Sequence, residues 1–219
     1  YRDSNLLYYT ENGGRNARSK AEFVDCGGWA HFCWQYDSTQ STAEDRVKIY
    51  VNGVHLVTGS TNWTSAGFGF PEVPALNSVM TSMNQNGQLN AIGAGISTSI
   101  NYGYFDGYIA NVIMLDGITT DCTAFGEFKE GIWIPKEYEG SFGSNGYHLD
   151  FADSSALGND VSGNNNDWTA SGLAATDVVS DTPENNFSTL NSLKVNTQTQ
   201  TFAQGNLDFS STQTSTNPA

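Results

Sequence analysis

Tyr104-Phe-Asp-Gly-Tyr-Ile-Ala-Asn-Val-Ile-Met-Leu-Asp-Gly117 is the stretch whose interpretation decides the fold. Along an extended chain Tyr108, Val112 and Met114 fall on one side, and Ile109, Ile113 and Leu115 on the other. A strand that is bulky on both sides is covered on both faces, so the spacing predicts a central strand. Gly107 predicts a bulge or a close backbone approach, small Ala110 and polar Asn111 interrupt the apolar run, and Asp116-Gly117 ends it. Segments before this stretch supply its partner strands, and those after it form an appended region.

Working outward, the clearest hairpin is Arg46-Val-Lys-Ile-Tyr-Val-Asn-Gly-Val-His-Leu-Val57. Val47, Ile49 and Val51 alternate with Arg46, Lys48 and Tyr50, and Asn52-Gly53 is the favoured dipeptide of a type I′ turn. Upstream, Trp29 to Asp37 sets Phe32, Trp34 and Tyr36 on one face and Trp29, His31, Cys33 and Gln35 on the other. An aromatic stripe at period two is expected to be core. Residues 6–9 and 21–25 read as two short strands joined by Glu11-Asn-Gly-Gly-Arg15. Downstream of the hairpin, residues 89–95 read as a strand, residues 119–128 as a short helical turn with Asp121 near its start, and Tyr147, Leu149 and Phe151 as one face of a further strand. The class is all-β, and the strands are expected to close two antiparallel layers over one apolar interior.

Composition narrows the partners. Nine Lys and Arg against 23 Asp and Glu give a net charge of −14, which leaves no basic footprint for nucleic acid or an anionic membrane. A neutral or cationic partner, or one bridged by a divalent metal, is expected. No apolar run approaches the ~20 residues that span a bilayer, and no signal peptide opens the chain. Residue 1 begins directly on strand-like sequence, so the start is expected to be a cut edge. Cys26, Cys33 and Cys122 are an odd set, which fits small buried hydrophobes better than a disulfide framework.

Residues 60–88 hold Pro71 and Pro74 and show no sustained period, as a long loop does. Trp63, Phe68 and Phe70 lie within it. If exposed, they make a sugar-stacking or protein-contact surface with Tyr102; if buried, they tuck the loop onto the sheet. Asp160-Val-Ser-Gly-Asn-Asn-Asn-Asp167 collects oxygen ligands at close spacing, and Asp160, Asn164, Asn166 and Asp167 are candidate calcium ligands. A solvated Asn/Asp/Gly turn explains the same residues. His31, His55 and His148 show no spacing of a nucleophile elbow or metalloprotease. Asp150 and Asp153 lie three apart where a strand breaks and do not flank a bond as a glycosidase pair must. The sequons Asn62-Trp-Thr and Asn186-Phe-Ser carry weight only in a secretory host.

Two groups of motifs resemble the concanavalin A-like, laminin G-like β-sandwich family. These are Gly28-Trp-Ala-His31 with Asp45-Arg-Val-Lys-Ile-Tyr-Val-Asn-Gly53, and Ile92-Gly93 with Phe105-Asp-Gly-Tyr-Ile-Ala110. A third group is similar to the continuation found in tail-fibre and surface proteins of marine bacteriophages: Gly131-Ile-Trp-Ile-Pro-Lys136, Asn145 to Phe151, Asp160 to Trp168 and Asp181 to Phe187. Together they cover about residues 22–193. The resemblance implies a two-sheet antiparallel jelly-roll sandwich over 1–150, an Asn/Asp/Gly-rich irregular extension over 151–193, and a polar linker or the start of a further domain over 194–219. It also implies a non-catalytic virion-surface or tail-fibre module, extracellular, that binds host cell-surface glycan, contacts other virion subunits and forms a homo-oligomer. A purely structural virion or filament protein is the alternative, and a glycoside hydrolase ranks third. Calcium-binding laminin G-like domains carry acidic residues where this chain has Ala110 and Asn111, so the family's metal site is not carried over.

Overall fold

A computed structural model describes residues 6–11, 14–22, 28–56, 63–64, 74–80, 87, 89–96, 101–102, 104–186, 199–203 and 207–212. In chain order the strands are β1 (Leu6–Glu11), β2 (Gly14–Glu22), β3 (Phe32–Tyr36), β4 (Val47–Val51), β5 (Val54–His55), β6 (Trp63–Thr64), β7 (Gly95–Ile96) and β8 (Asn101–Tyr102). Then come β9 (Val112–Met114), β10 (Gly126–Lys129), β11 (Ile132–Pro135), β12 (Tyr147–Leu149), β13 (Thr199–Ala203) and β14 (Asp208–Thr212). Among the described residues every pairing is antiparallel and there is no α-helix, only short 3-10 turns. The all-β expectation therefore holds. No helix among the described residues is long and apolar enough to cross a membrane.

The chain divides into two compact units. The first comprises Tyr1–Val24, Ala30–Asp106 and Leu115–Asn145; the second comprises Asp25–Trp29, Gly107–Met114 and Gly146–Ala219.

In the first unit β3, β4 and β5 form one sheet, with Phe32 opposite Val51 and Val51 opposite Val54. Asn52 and Gly53 have φ of 48° and 73°, the two positive values that a type I′ turn requires, so the expected hairpin is present. The coverage of its faces departs from expectation. Phe32 is 47 % and Trp34 38 % exposed, whereas Cys33 between them is buried. The physical reason lies far along the chain: the Gln35 side chain donates to the Thr120 carbonyl, and Trp133 packs on His31, so residues 120–135 cover the Cys33 face. At the far end of the sheet Val47 is buried against Tyr36, Ile49 and Leu56.

β10 and β11 form a hairpin in register Gly126–Pro135, Glu127–Ile134, Phe128–Trp133 and Lys129–Ile132. The helical turn expected over 119–128 is confined to Cys122–Ala124, N-capped by the Asp121 carboxylate, which accepts from Thr123 N at 2.9 Å. The Trp133 indole fits between two glycines: a Cβ added to Gly53 would lie 2.2 Å from its Cε3, and one added to Gly126 2.5 Å from its Cε2. Glycine at both places is a packing requirement. Of the hairpin expected over 6–25, the first strand is found and runs on to Glu11, but its partner begins at Gly14, inside the expected turn, and ends at Glu22; residues 23–25 lie outside the described residues. The strand expected over 89–95 is absent; only Gly95–Ile96 pairs, with Asn101–Tyr102.

In the second unit β9 pairs β12, with Val112 opposite Leu149 and Met114 opposite Tyr147. The long central strand expected from Tyr104 onward is thus cut to three residues. Asn111 adopts φ 51°, a left-handed conformation that breaks the extended chain just before Val112. Leu149 is fully buried, and Tyr147 meets Trp168 edge-on at 5.1 Å. Trp29 Nε1 donates to Asp181 at 2.9 Å and Asn111 Nδ2 to Glu184 at 2.9 Å, which ties Trp29 and Asn111 to the 181–184 turn. Residues 199–212, expected as a polar linker or a further domain's start, contain the β13–β14 hairpin.

Candidate binding surface

Trp63 lies on β6 opposite Ser19, and Tyr102 on β8 opposite Gly95. Phe68 and Phe70 lie outside the described residues. An exposed aromatic segment begins two residues after Tyr102. Tyr104 is 72 % exposed, Phe105 57 %, and Asp106 beside them is exposed as well. Phe105 N donates to Gly93 O at 2.8 Å, so this aromatic segment is tied by its backbone to the stem of the β7–β8 arm. Positive φ at Gly93, 79°, turns the chain there. Tyr104 and Phe105, expected in a covered strand, are exposed instead, and the Asp106-Gly107 turn dipeptide is the sequence signal that favours this. Two aromatic rings next to a carboxylate offer apolar faces for sugar C–H groups and an acceptor for hydroxyls.

The three histidines are engaged in packing and hydrogen bonding. His31 stacks obliquely on Trp133 at 5.7 Å and His55 on Tyr50 at 4.9 Å. Burial pushes both imidazoles below their ordinary pKa, and His31 Nδ1 and His55 Nε2 have no hydrogen-bond partner among the described residues. Both are therefore neutral near pH 7. Burial, with the neighbouring Cys122 and Asp121, pushes the Cys33 thiol up to about 12, and burial raises Cys122 too. Neither thiol has the character of a nucleophile. His148 Nε2 lies 3.2 Å from Asn111 Oδ1, while the Asn111 amide donates to Glu184. The carbonyl oxygen of Asn111 thus accepts, and His148 carries its hydrogen on Nε2.

The candidate calcium loop is a self-closed turn. Asp160 is buried, and its Oδ1 accepts from His148 N at 2.8 Å and Ser162 N at 2.9 Å. Its Oδ2 accepts from Ser162 Oγ and Asn166 N, each at 2.9 Å. Four donors match the lone pairs of one carboxylate. Burial alone would raise this carboxyl, but the hydrogen bonds outweigh it and hold it below the ordinary range. Asp167 Oδ1 accepts from Asp160 N at 2.9 Å, and the Asn164 and Asn166 amides both donate to Gly146 O at 2.9 Å. As arranged, these residues do not fit a calcium ion, which would have to displace the donors on Asp160. Among the described residues no group of three or more His, Cys, Asp or Glu is placed to hold a metal ion. Compared with known proteins, the chain matches no family model, no curated protein and no solved structure.

Proposed function

We propose that this chain is a non-catalytic surface module that binds a neutral glycan through the exposed segment Tyr104-Phe105-Asp106. The observation that carries this reading is the exposure of two consecutive large aromatics whose backbone is anchored at Gly93. Large apolar rings left in water next to a carboxylate are costly unless a partner covers them. The net charge of −14 disfavours anionic glycans and leaves neutral sugars. A concanavalin A-like sandwich on a virion or tail-fibre surface is the setting that the sequence motifs favour, supported by antiparallel pairing throughout and the Asn52-Gly53 hairpin. The packed states of His31 and His55 and the raised Cys33 thiol favour binding over turnover.

Glycan-array binding by the full chain tests this directly, with Tyr104→Ala and Phe105→Ala as controls. Losing one buried aromatic contact costs ~1.5–3 kcal/mol, roughly a tenfold to hundredfold loss of affinity. Turnover of a bound glycan, or binding untouched by both substitutions, would defeat the proposal. A purely assembling role is the second reading, and the exposed strand β10 favours it.

A further inference from the structure

The hairpin β10–β11 closes on Glu130-Gly131, with φ of 50° and 82°, a two-residue turn of type I′ geometry. In such a hairpin the pair flanking the turn is hydrogen-bonded, and bonded and non-bonded pairs then alternate. Lys129–Ile132 and Glu127–Ile134 are bonded pairs, and the alternation continues where Lys136 N donates to Phe125 O at 2.9 Å. Phe128–Trp133 is a non-bonded pair. The N–H and C=O of Phe128 therefore point away from β11, toward an edge beside which no strand lies among the described residues. The other edge of the hairpin is protected: Pro135 is also in a non-bonded pair and has no N–H to offer outward.

The side chains on the open edge are all exposed, Phe128 in part. Phe128 is 55 % exposed, and Glu127 and Lys129 are exposed on the opposite face of the strand, ion-paired at 2.8 Å. An exposed edge strand with an outward-facing apolar residue is a template for another strand. The charge pattern selects which one.

We propose that two copies of this chain pair antiparallel along β10, with the two-fold axis through Phe128. In that register Phe128 exchanges two backbone hydrogen bonds with the partner's Phe128, and the two rings meet beside Trp133, which already packs Phe128 edge-on at 5.0 Å. Glu127 falls opposite the partner's Lys129, and Lys129 opposite the partner's Glu127, so each charge faces its opposite across the axis. Centring on Glu127 sets Glu127 against the partner's Glu127, like charge on like, and centring on Gly126 sets Glu127 against the partner's Phe125, an apolar residue. The product is a four-stranded sheet with the two copies of β10 at its centre. The pairing holds whether or not the chain binds glycan, since β10 shares no residue with Tyr104-Phe105-Asp106.

Sedimentation equilibrium of the full chain up to about 1 mM reads the association. The wild type is expected to show a monomer–dimer equilibrium that weakens with salt. Glu127→Lys alone sets Lys against Lys across the axis, and Lys129→Glu alone sets Glu against Glu, each weakening dimerisation about tenfold or more. An equimolar mixture of the two variants restores association as a heterodimer, and the double exchange E127K/K129E restores the homodimer. Circular dichroism of each variant checks that the exposed substitutions leave the fold intact. A wild type that stays monomeric throughout, single variants that dimerise as well as wild type, or a double exchange that fails to recover dimerisation each overturns the proposal.

Discussion

Replacing Gly126 by Ala tests how β10–β11 is seated on the rest of its unit. The new Cβ would sit 2.5 Å from Trp133 Cε2 and Cζ2 and 2.7 Å from Nε1, whereas carbon atoms in contact rest about 3.5–4.0 Å apart. The indole must therefore yield by about 1 Å. Its Cε3 edge is already closed off by Gly53, where an added Cβ would lie 2.2 Å away, and Phe128 stands edge-on at 5.0 Å. Overpacking of this kind costs ~1–3 kcal/mol. Ala also recovers about 0.5–1 kcal/mol of the backbone entropy that Gly loses in a strand, so a net destabilisation of roughly 1–2 kcal/mol is expected. For a chain of this size that lowers the melting temperature by about 2–8 °C. Gly53→Ala should be worse, because its φ of 73° adds about 1–2 kcal/mol of left-handed strain to the same clash. Thermal and urea unfolding followed by circular dichroism supply the numbers, and a double-mutant cycle supplies the mechanism. In a Trp133→Leu background the Gly126→Ala penalty should vanish, giving a coupling of about 1 kcal/mol or more. An equal penalty in both backgrounds would refute the contact between Gly126 and the indole.

Three further outcomes are expected. The folded-state pKa values of His31 and His55 lie below the unfolded value, so their stabilising effect is complete above about pH 6.5 and is lost as pH falls through the folded values. The melting temperature should therefore fall as the pH is lowered below about 6.5, and His31→Gln/His55→Gln should flatten that slope. Asp160 has a depressed folded pKa, so its contribution is present above the unfolded value near about 3.9 and disappears as pH falls below it. Asp160→Ala leaves the His148 and Asn166 N–H groups without their acceptor and should cost ~2–4 kcal/mol, while a chelator should leave the wild-type melting temperature unchanged. With the Cys33 thiol pushed up to about 12, native protein at pH 8 should expose no rapid reactivity at Cys33 toward an aromatic disulfide reagent; fast labelling at that residue by mass spectrometry would contradict its buried, neutral state.

What the sequence revealed is what neighbouring residues decide by themselves. Asn52-Gly53 announces a turn because the two residues it needs are adjacent, and the register Phe32–Val51 follows from it. Parity along β3 was equally readable: Phe32, Trp34 and Tyr36 do share a face. Which face is covered was not readable, because the cover over Cys33 comes from Thr120 and Trp133, about a hundred residues away. Apolarity misled in the same manner at Tyr104 and Phe105, since a covered strand and an exposed arm can have the same composition, and only the left-handed Asn111 marks where the strand truly begins. The hairpin at Glu130-Gly131 was missed because Glu is not a residue expected at positive φ; its conformation is imposed by the β10–β11 pairing rather than by local preference. Gly53 shows why such gaps persist. A glycine in an Asn-Gly turn is fully explained by its dihedral angles, so nothing in the sequence calls for a second reason. Its missing Cβ is also the space the Trp133 indole occupies, and that requirement becomes visible only when residues 53, 126 and 133 are seen together. Asn at position 53 would separate the two demands: Asn tolerates positive φ but not the 2.2 Å approach, so Gly53→Asn should lose stability in the wild type and regain most of it with Trp133→Leu.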